Sequence, residues 1–502
     1  MKKRMLAAIL AAIMSAAALA SCGSGESSST AGSTAGGSTA SADNGADSSE
    51  PGEIPTLIWW GIGDTPDDLE MGLEEMNKYA GEEIGVNIDL RLIGWGEWEQ
   101  KTNTIVNSGE YFDMMFLTYK NYSTFVDLGA IADITELVPA EAPELWEFIP
   151  EDVWQGAMIQ HKLYSVPTYK DSSATQYWFF DDQYVQKYNI DVPSLEKKDL
   201  IELDGIFREM KAGEGENFYP LQLAQGIQLP FASPDVYYDD MAAGMPFLGA
   251  VMENGSPKVI SVLEQPDTMD HLKVYHSWYQ DGIINPDAPT MTEVPKMRPF
   301  LISQAFPGAE VQMQVTEGVE KYDMVQASET RFSTNSIQGS LNAISVDSEY
   351  KAEALKFLQF ANLDHKMRDM LAYGVEGTHF EYVSDNVVHK LTDTWTLPSY
   401  SQATFFTLST LDDGIADQWE QVAKLNENAV SSEFLGFVLD ISQISTEVAN
   451  CKAAYDKYRY ELQCGASDPE EMIPVIMEDL RANGLDTIIA EAQKQLDEFC
   501  AK

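Results

Sequence analysis

Three successive segments of this chain carry aromatic side chains where a polypeptide would meet a ligand. Trp59 and Trp60 close an apolar run that starts at Thr56 and is broken by Gly61 and Gly63. Trp95 and Trp98 follow the alternating run Val86, Ile88, Leu90, Leu92, and Tyr119 and Tyr122 follow Asp113 to Leu117. Core aromatics usually fall inside periodic segments, whereas Trp95 stands between Gly94 and Gly96. An aromatic face suits the C–H face of a sugar ring while polar neighbours fix the hydroxyls, and it also suits an extended peptide. For any single ring, packing between helix and sheet explains it as well as binding does; the set at three strand ends favours binding. Tyr169, Trp178, Tyr237, Tyr238, Phe306 and Trp395 are further aromatics outside the strongly periodic segments.

Catalytic constellations are missing from the sequence. It has no G-x-S-x-G, H-E-x-x-H or G-x-x-x-x-G-K-[ST]. Its six His show no metal-ligand spacing, and His271 and His276 lie five apart, off one helical face. Without C-x-x-C no zinc site is expected, and neither a cofactor nor a metal is implied. The 80 acidic residues offer too many carboxylate pairs for glycosidase geometry to be read from them, so a surface glycoside hydrolase stands as the enzymatic alternative. A formal charge of −48 excludes nucleic acid as a partner, because phosphate contacts need a basic surface.

The first residues carry a different chemistry. Lys2, Lys3 and Arg4 precede an apolar stretch from Met5 to Leu19, interrupted once by Ser15. That is short for a bilayer span, which needs about 20 apolar residues, and fits a secretory leader. Leu19-Ala20-Ser21-Cys22 resembles the bacterial lipobox, in which the cysteine takes a lipid, palmitate among its acyl chains, and becomes the new N-terminus. The plainer alternative is an incidental Cys beside an ordinary cleavage site. Residues 1–21 thus read as signal peptide. Residues 22–54 read as lipidated Cys plus a disordered Ser/Gly/Thr linker, reaching roughly 30 Å. Of the other three Cys, Cys451 and Cys464 fall thirteen apart on one expected helix, about 20 Å apart and too far to bridge. A Cys464–Cys500 pair stays open.

The elements that would position the aromatics follow from periodicity. A strand at 56–60, a helix carrying Leu69, Leu73, Met76 and Ala80, a strand at 86–92, a helix over about 97–107 and a strand at 113–117 give a β-α-β-α-β order and a largely parallel sheet. Short strands ending in VPTYK, a strand at 176–180, and helices at 181–188, 199–211 and 269–280 follow. Helices dominate from residue 350, at 350–361, 364–373, 442–463, 469–482 and 485–499. No single linker divides the body, which predicts lobes built from interleaved segments. With 44% hydrophobic residues the body can build real cores.

Several stretches together carry a family resemblance: Trp59-Trp60-Gly61-Ile62-Gly63, Ile93-Gly94-Trp95-Gly96, Ser108 to Asp113, Val166-Pro167-Thr168-Tyr169-Lys170, Leu341 to Ser345, Tyr373 to His379 and Glu491 to Phe499. In this order behind a lipobox, the chain resembles the extracellular solute-binding lipoproteins of bacterial ABC importers (family 1), in the LipO-like branch with a C-terminal DUF3502 domain. The resemblance implies an α/β, two-lobed periplasmic-binding-protein-like (type II) fold with hinge crossings and a helical C-terminal region. Lobe 1 would comprise 55–168 plus about 344–385, and lobe 2 171–340 plus about 395–502, with the DUF3502-like part from about 430. Crossings are expected at Val166–Asp171, near Gly339–Ser345 and around 380–396. It further implies ligand contacts from Trp60, Trp95, Tyr119, Lys170, Phe306, Asn342 and Glu376, the first three as faces and Lys170, Asn342 and Glu376 as hydrogen-bonding groups. The expected function is non-enzymatic: a monomer, lipid-anchored on the extracellular side of the cell membrane, that hands a small ligand to an ABC permease. An oligosaccharide is favoured, and a peptide is the alternative within the same fold.

Overall fold

A computed structural model describes residues 54–501; the expected leader 1–21, Cys22 and the linker up to residue 53 lie outside the described residues. The chain opens with β1 (Thr56–Ile62), α1 (Leu69–Glu83), β2 (Asn87–Ile93), α2 (Trp98–Ser108) and β3 (Met114–Leu117). Gly72, Met76 and Ala80 form the buried stripe of α1, and α2 stops where Gly109 turns left-handed. β1 pairs in parallel with β2 and with β3. β4 (Ser165–Pro167) belongs to the same sheet, and β5 (Gln176–Asp181) starts the next. After α3 (Pro266–Gln280) come β6 (Phe300–Gln304), β7 (Tyr322–Gln326) and the short β8 (Arg331–Phe332). β9 (Leu341–Ile344) then returns to the first sheet, antiparallel to β3 and β4, giving the order β2-β1-β3-β9-β4. The second sheet, β6-β5-β7, is antiparallel throughout.

Each sheet has its own core. Leu57, Trp59, Met76, Phe116, Ile344 and Leu358 are buried in the first; Trp178, Phe207, Trp278, Tyr455 and Ile488 in the second. α4 (Lys351–Leu363) and α5 (His365–Tyr373) cover the first sheet. The chain passes between the cores three times: at 168–175, at 327–340, and at 429–439, where β10 (Val430–Ser431) follows α6 (Gln418–Glu427) and pairs in parallel with β8. In the last passage the side chains divide. Leu435 and Val438 enter the first core, and Phe434, Phe437 and Leu439 the second.

This third crossing is not where the sequence predicted it. Residues 380–384 and 387–390 form a hairpin that pairs with Thr410–Leu411, and Trp395, Leu397 and Ala403 are buried in the first core. The segment after 395 therefore stays with the first lobe. Its anchor is Trp395, whose indole donates to the Leu371 carbonyl (3.1 Å) and lies where a Cβ on Gly72 would stand, 2.3 Å from the ring. Contacts between residues more than 300 apart in sequence leave no local signal in either segment.

The C-terminal helices complete the second core. One helix expected over 442–463 breaks at Lys457–Tyr458 into α7 (Ser445–Asp456) and α8 (Arg459–Gln463), followed by α9 (Pro469–Ala482) and α10 (Leu485–Cys500). Cys451 and Cys464 are buried free thiols and Cys500 an exposed one. Gln493 on α10 accepts from Val259 N (2.8 Å) and donates to Pro257 O (3.0 Å), satisfying backbone groups at the edge of the strand Ser256–Ser261.

At Gly436 the third crossing passes tightly against the first lobe. Its φ is +84°, and a Cβ there would stand 2.7 Å from the backbone oxygen of Gln155. Gly436→Ala is expected to lower unfolding free energy by about 2–4 kcal/mol, combining left-handed strain with overpacking. Gly85→Ala, at a similar φ of +67° but with nothing within 4 Å, should lose only about 1–2 kcal/mol. Guanidinium denaturation of the pair checks this: equal losses would remove the Gln155 contact as the reason for glycine.

Candidate ligand-binding cleft

Backbone leaving a parallel sheet at its carboxyl edge, and loops beside chain crossings, are where open α/β folds receive ligands. Here the first and second crossings and the second-lobe loop 228–246 enclose a cavity of about 730 Å³. That lies within the 300–1,000 Å³ of small-molecule sites. Gln176 and Trp178 come from β5, with Ile302 the cross-strand neighbour of Trp178; Tyr237, Tyr238 and Phe231 come from the loop; Ser173, Arg331 and Ser333 come from the crossings. The buried Trp178 Nε1 has no hydrogen-bond partner, although it lines this cavity.

The cavity's polar wall is built around adjacent carboxylates. Asp239 accepts from the Ser432 hydroxyl and from Met241 N (2.7 Å), and Asp240 accepts from Asn335 and from Ala242 N (3.1 Å). Burial raises both carboxyls above the usual range; burial together with the Asp239 charge brings Asp240 to about 6. Arg331 stacks over the Tyr237 ring at 4.5 Å, and burial next to Asp239 pushes the Tyr237 phenol up. The wall thus offers sugar-like hydroxyls an acceptor carboxylate, a guanidinium and aromatic faces.

None of the seven residues expected to bind lines this cavity. Two of the six strand-end aromatics are presented to solvent: Trp95, 53% exposed with its indole donating to Tyr400 Oη (3.0 Å), and Tyr119, 40% exposed. Trp60 is half-buried within the sheet under Arg91, its cross-strand partner, because β1 runs on to Ile62 instead of ending at the tryptophans. Trp59, Trp98 and Tyr122 are core residues. Phe306 is half-buried against Phe405 and Trp419, each ring 6.2 Å away. Lys170 is held in an ion pair with Asp171 (2.7 Å) and is mostly covered. Asn342 is buried: Oδ1 accepts from the Trp59 indole (3.0 Å) and Nδ2 donates to Ser401 O (3.1 Å), which leaves it a structural clamp. Glu376 lines a separate cavity of about 310 Å³ with Glu75, Lys78 and Tyr79, away from both crossings. Of the other aromatics noted in the sequence, Trp178, Tyr237 and Tyr238 line the cleft cavity, while Trp395 is core. Asp240 and Arg331 carried no local signal.

Two α/β lobes joined by three crossings around such a cavity have the fold of type II solute-binding proteins. Two family models match the chain: bacterial extracellular solute-binding protein over residues 69–288, and a domain of unknown function, DUF3502, over 433–501. A "Carbohydrate ABC transporter substrate-binding protein" of Streptococcus pneumoniae serotype 4 is 25% identical over 463 residues, 90% of this chain and 92% of that protein. The fold matches the crystal structure of the N-glycan transport solute binding protein NgtS from Streptococcus pneumoniae with a TM-score of 0.79, at 24% identity, over 89% of this chain and 99% of that one. Against NgtS in complex with Man5GlcNAc the TM-score is 0.67, at 24% identity, over 89% and 98%.

The raised carboxyl at Asp240 sets a pH dependence. Its folded pKa of about 6 exceeds the ordinary 3.8, so the folded state takes up the proton first. Stability therefore falls as pH rises from about 4 to 6 and levels off above. Asp240→Asn should gain stability relative to wild type as pH increases across that window. Thermal melts of both proteins at pH 4.5 and 7 test this, and a constant difference would mean that Asp240 titrates normally.

Proposed function

We propose that this protein is a receptor that captures an oligosaccharide between its lobes and delivers it to an ABC permease. The observation carrying this reading is the hinge-side cavity, where Trp178, Tyr237 and Tyr238 meet Asp240 and Arg331. Aromatic faces with a few convergent polar groups suit pyranose rings, whose two faces are apolar and whose rim is hydroxylated. The proposed site includes Trp95 and Tyr119 as contact faces on the first lobe, with Phe306 beside the opening. A ligand touching both lobes favours the closed arrangement by its extra contacts there.

The rest of the reading concerns location. A lipid on Cys22 and a linker of about thirty residues would tether a monomeric body to the outer face of the membrane, where tethering raises its effective concentration at a permease. Among the described residues no helix is long and apolar enough to cross a membrane. The negative surface disfavours polyanionic cargo.

Differential scanning fluorimetry over neutral oligosaccharides and short peptides tests the ligand class, since a ligand bound only by the native state raises its melting temperature. Shifts with glycans and none with peptides are expected; the reverse pattern would assign a peptide receptor, and glycan cleavage would make it an enzyme. Trp95→Ala should weaken the responding glycan roughly tenfold or more through a lost stacking face, with the unliganded melting temperature unchanged. Cys22→Ser should move the protein from the membrane fraction to the medium.

A further inference from the structure

Residues 398–407 contain little regular structure beyond a single turn at Ser399–Ser401, yet they are held from every side. Pro398 lies across the end of β1, where a Cβ on Gly63 would stand 2.8 Å from its ring. Ser340 Oγ donates to Tyr400 O (2.8 Å), and Asn342 Nδ2 donates to Ser401 O. Thr404 N donates to Asn362 Oδ1 (2.8 Å), and Thr404 Oγ1 donates to Tyr169 O (2.7 Å) in the first crossing. The most costly tie is Arg368 on α5, which is fully buried. Its Nε donates to Thr404 O (2.5 Å), and its two terminal nitrogens donate to Ser399 O (2.8 Å) and Gln402 Oε1 (3.4 Å). All three acceptors are neutral. The adjacent Asp369 carboxylate is occupied by Ser409 and Tyr382. Burial draws the guanidinium down to about 10, so it remains charged at neutral pH.

A buried guanidinium is costly to desolvate; the neighbouring Asp369 charge offsets part of that cost, but all three of its hydrogen bonds go to neutral groups of one segment. This one serves to fix a single loop. What the loop presents beyond the core is Tyr400, half-buried, whose hydroxyl accepts from the exposed Trp95 indole. Edge contact with Phe116 at 6.3 Å constrains the same indole from below. An aromatic platform that is locked before a ligand arrives loses less rotamer freedom on binding.

We infer that residues 398–407 form the first-lobe wall of the ligand cleft, and that Tyr400 is a positioning residue that orients the Trp95 indole to stack on a sugar ring, with Arg368 holding Tyr400 in place. The inference rests on the carbohydrate-receptor reading for its ligand, and on the hydrogen-bond geometry alone for the coupling of the two rings. Tyr400→Phe keeps the packed ring and removes only the acceptor. In the uniformly ¹⁵N-labelled protein, the Trp95 indole N–H resonance, identified by its loss in Trp95→Phe, should shift in Tyr400→Phe while the other indole signals stay in place. Affinity for the strongest binder among Man5GlcNAc, maltooligosaccharides and fructooligosaccharides should fall roughly two- to tenfold, as for one lost hydrogen bond, with an unchanged unliganded melting temperature. An unmoved Trp95 signal overturns the positioning role. A moved signal with unchanged affinity overturns the wall's part in binding. If none of these sugars binds the wild type, the receptor reading fails for them, and the wall's role in sugar stacking is overturned with it; the resonance arm still decides the coupling of the two rings.

Discussion

Two hydrophobic cores share one short strip of chain, residues 434–439, and the fold depends on that sharing. The turn at 433–436 and the irregular backbone after it send neighbouring side chains to opposite sides, so this segment between two cores serves both. Leu435 and Val438 fill one, and Phe434, Phe437 and Leu439 the other. The first lobe grips the strip by its backbone, Gln160 Nε2 donating to Val438 O (3.0 Å), and it also meets α10 where the His161 ring stacks on Phe499 at 4.5 Å. The lobes are thus joined at one edge by three passages and the pairing of β8 with β10, an arrangement in which relative lobe motion is concentrated at the crossings. The region matched by DUF3502 begins at this strip, so it is part of the second lobe's core and of the hinge, not an appended module.

Charge is arranged on the same plan. A chain with formal charge −48 places its buried ionic groups where position matters. Asp239 and Asp240 brace the second-lobe loop against the crossings through Ser432 and Asn335, and Arg368 braces the first-lobe loop through carbonyls. Each loop carries aromatic side chains to the hinge side. Both walls of the proposed cleft therefore rest on buried polar contacts made between segments distant in sequence. Such contacts give less net stability than apolar packing, but they define one geometry.

Local sequence periodicity was a good guide to elements and a poor one to side-chain fate. The strand, helix, strand, helix, strand opening lies where alternation and helical spacing put it, because those periods are properties of the chain itself. The same reading treated six aromatics at strand ends as equivalent. Only Trp95 and Tyr119 are presented to solvent, since extension of β1 to Ile62 drew Trp59 and Trp60 into the sheet, and α2 and the helix Tyr122–Asp127 turned Trp98 and Tyr122 inward. Asn342, read as a possible ligand contact from its motif, instead joins Trp59 to Ser401 across the lobe.

By itself the sequence carried the lipobox-like stretch before Cys22, the acidic composition, the α/β order and the family resemblance, because each is written in contiguous residues or in totals. Only the tertiary structure decided where the third crossing runs, which aromatics face a cavity, and that Asp240, Arg331, Tyr400 and Arg368 matter. Those outcomes depend on contacts such as Trp395 over Gly72 and Tyr400 against Trp95, whose energies arise when segments about 300 residues apart meet and which no window of sequence contains.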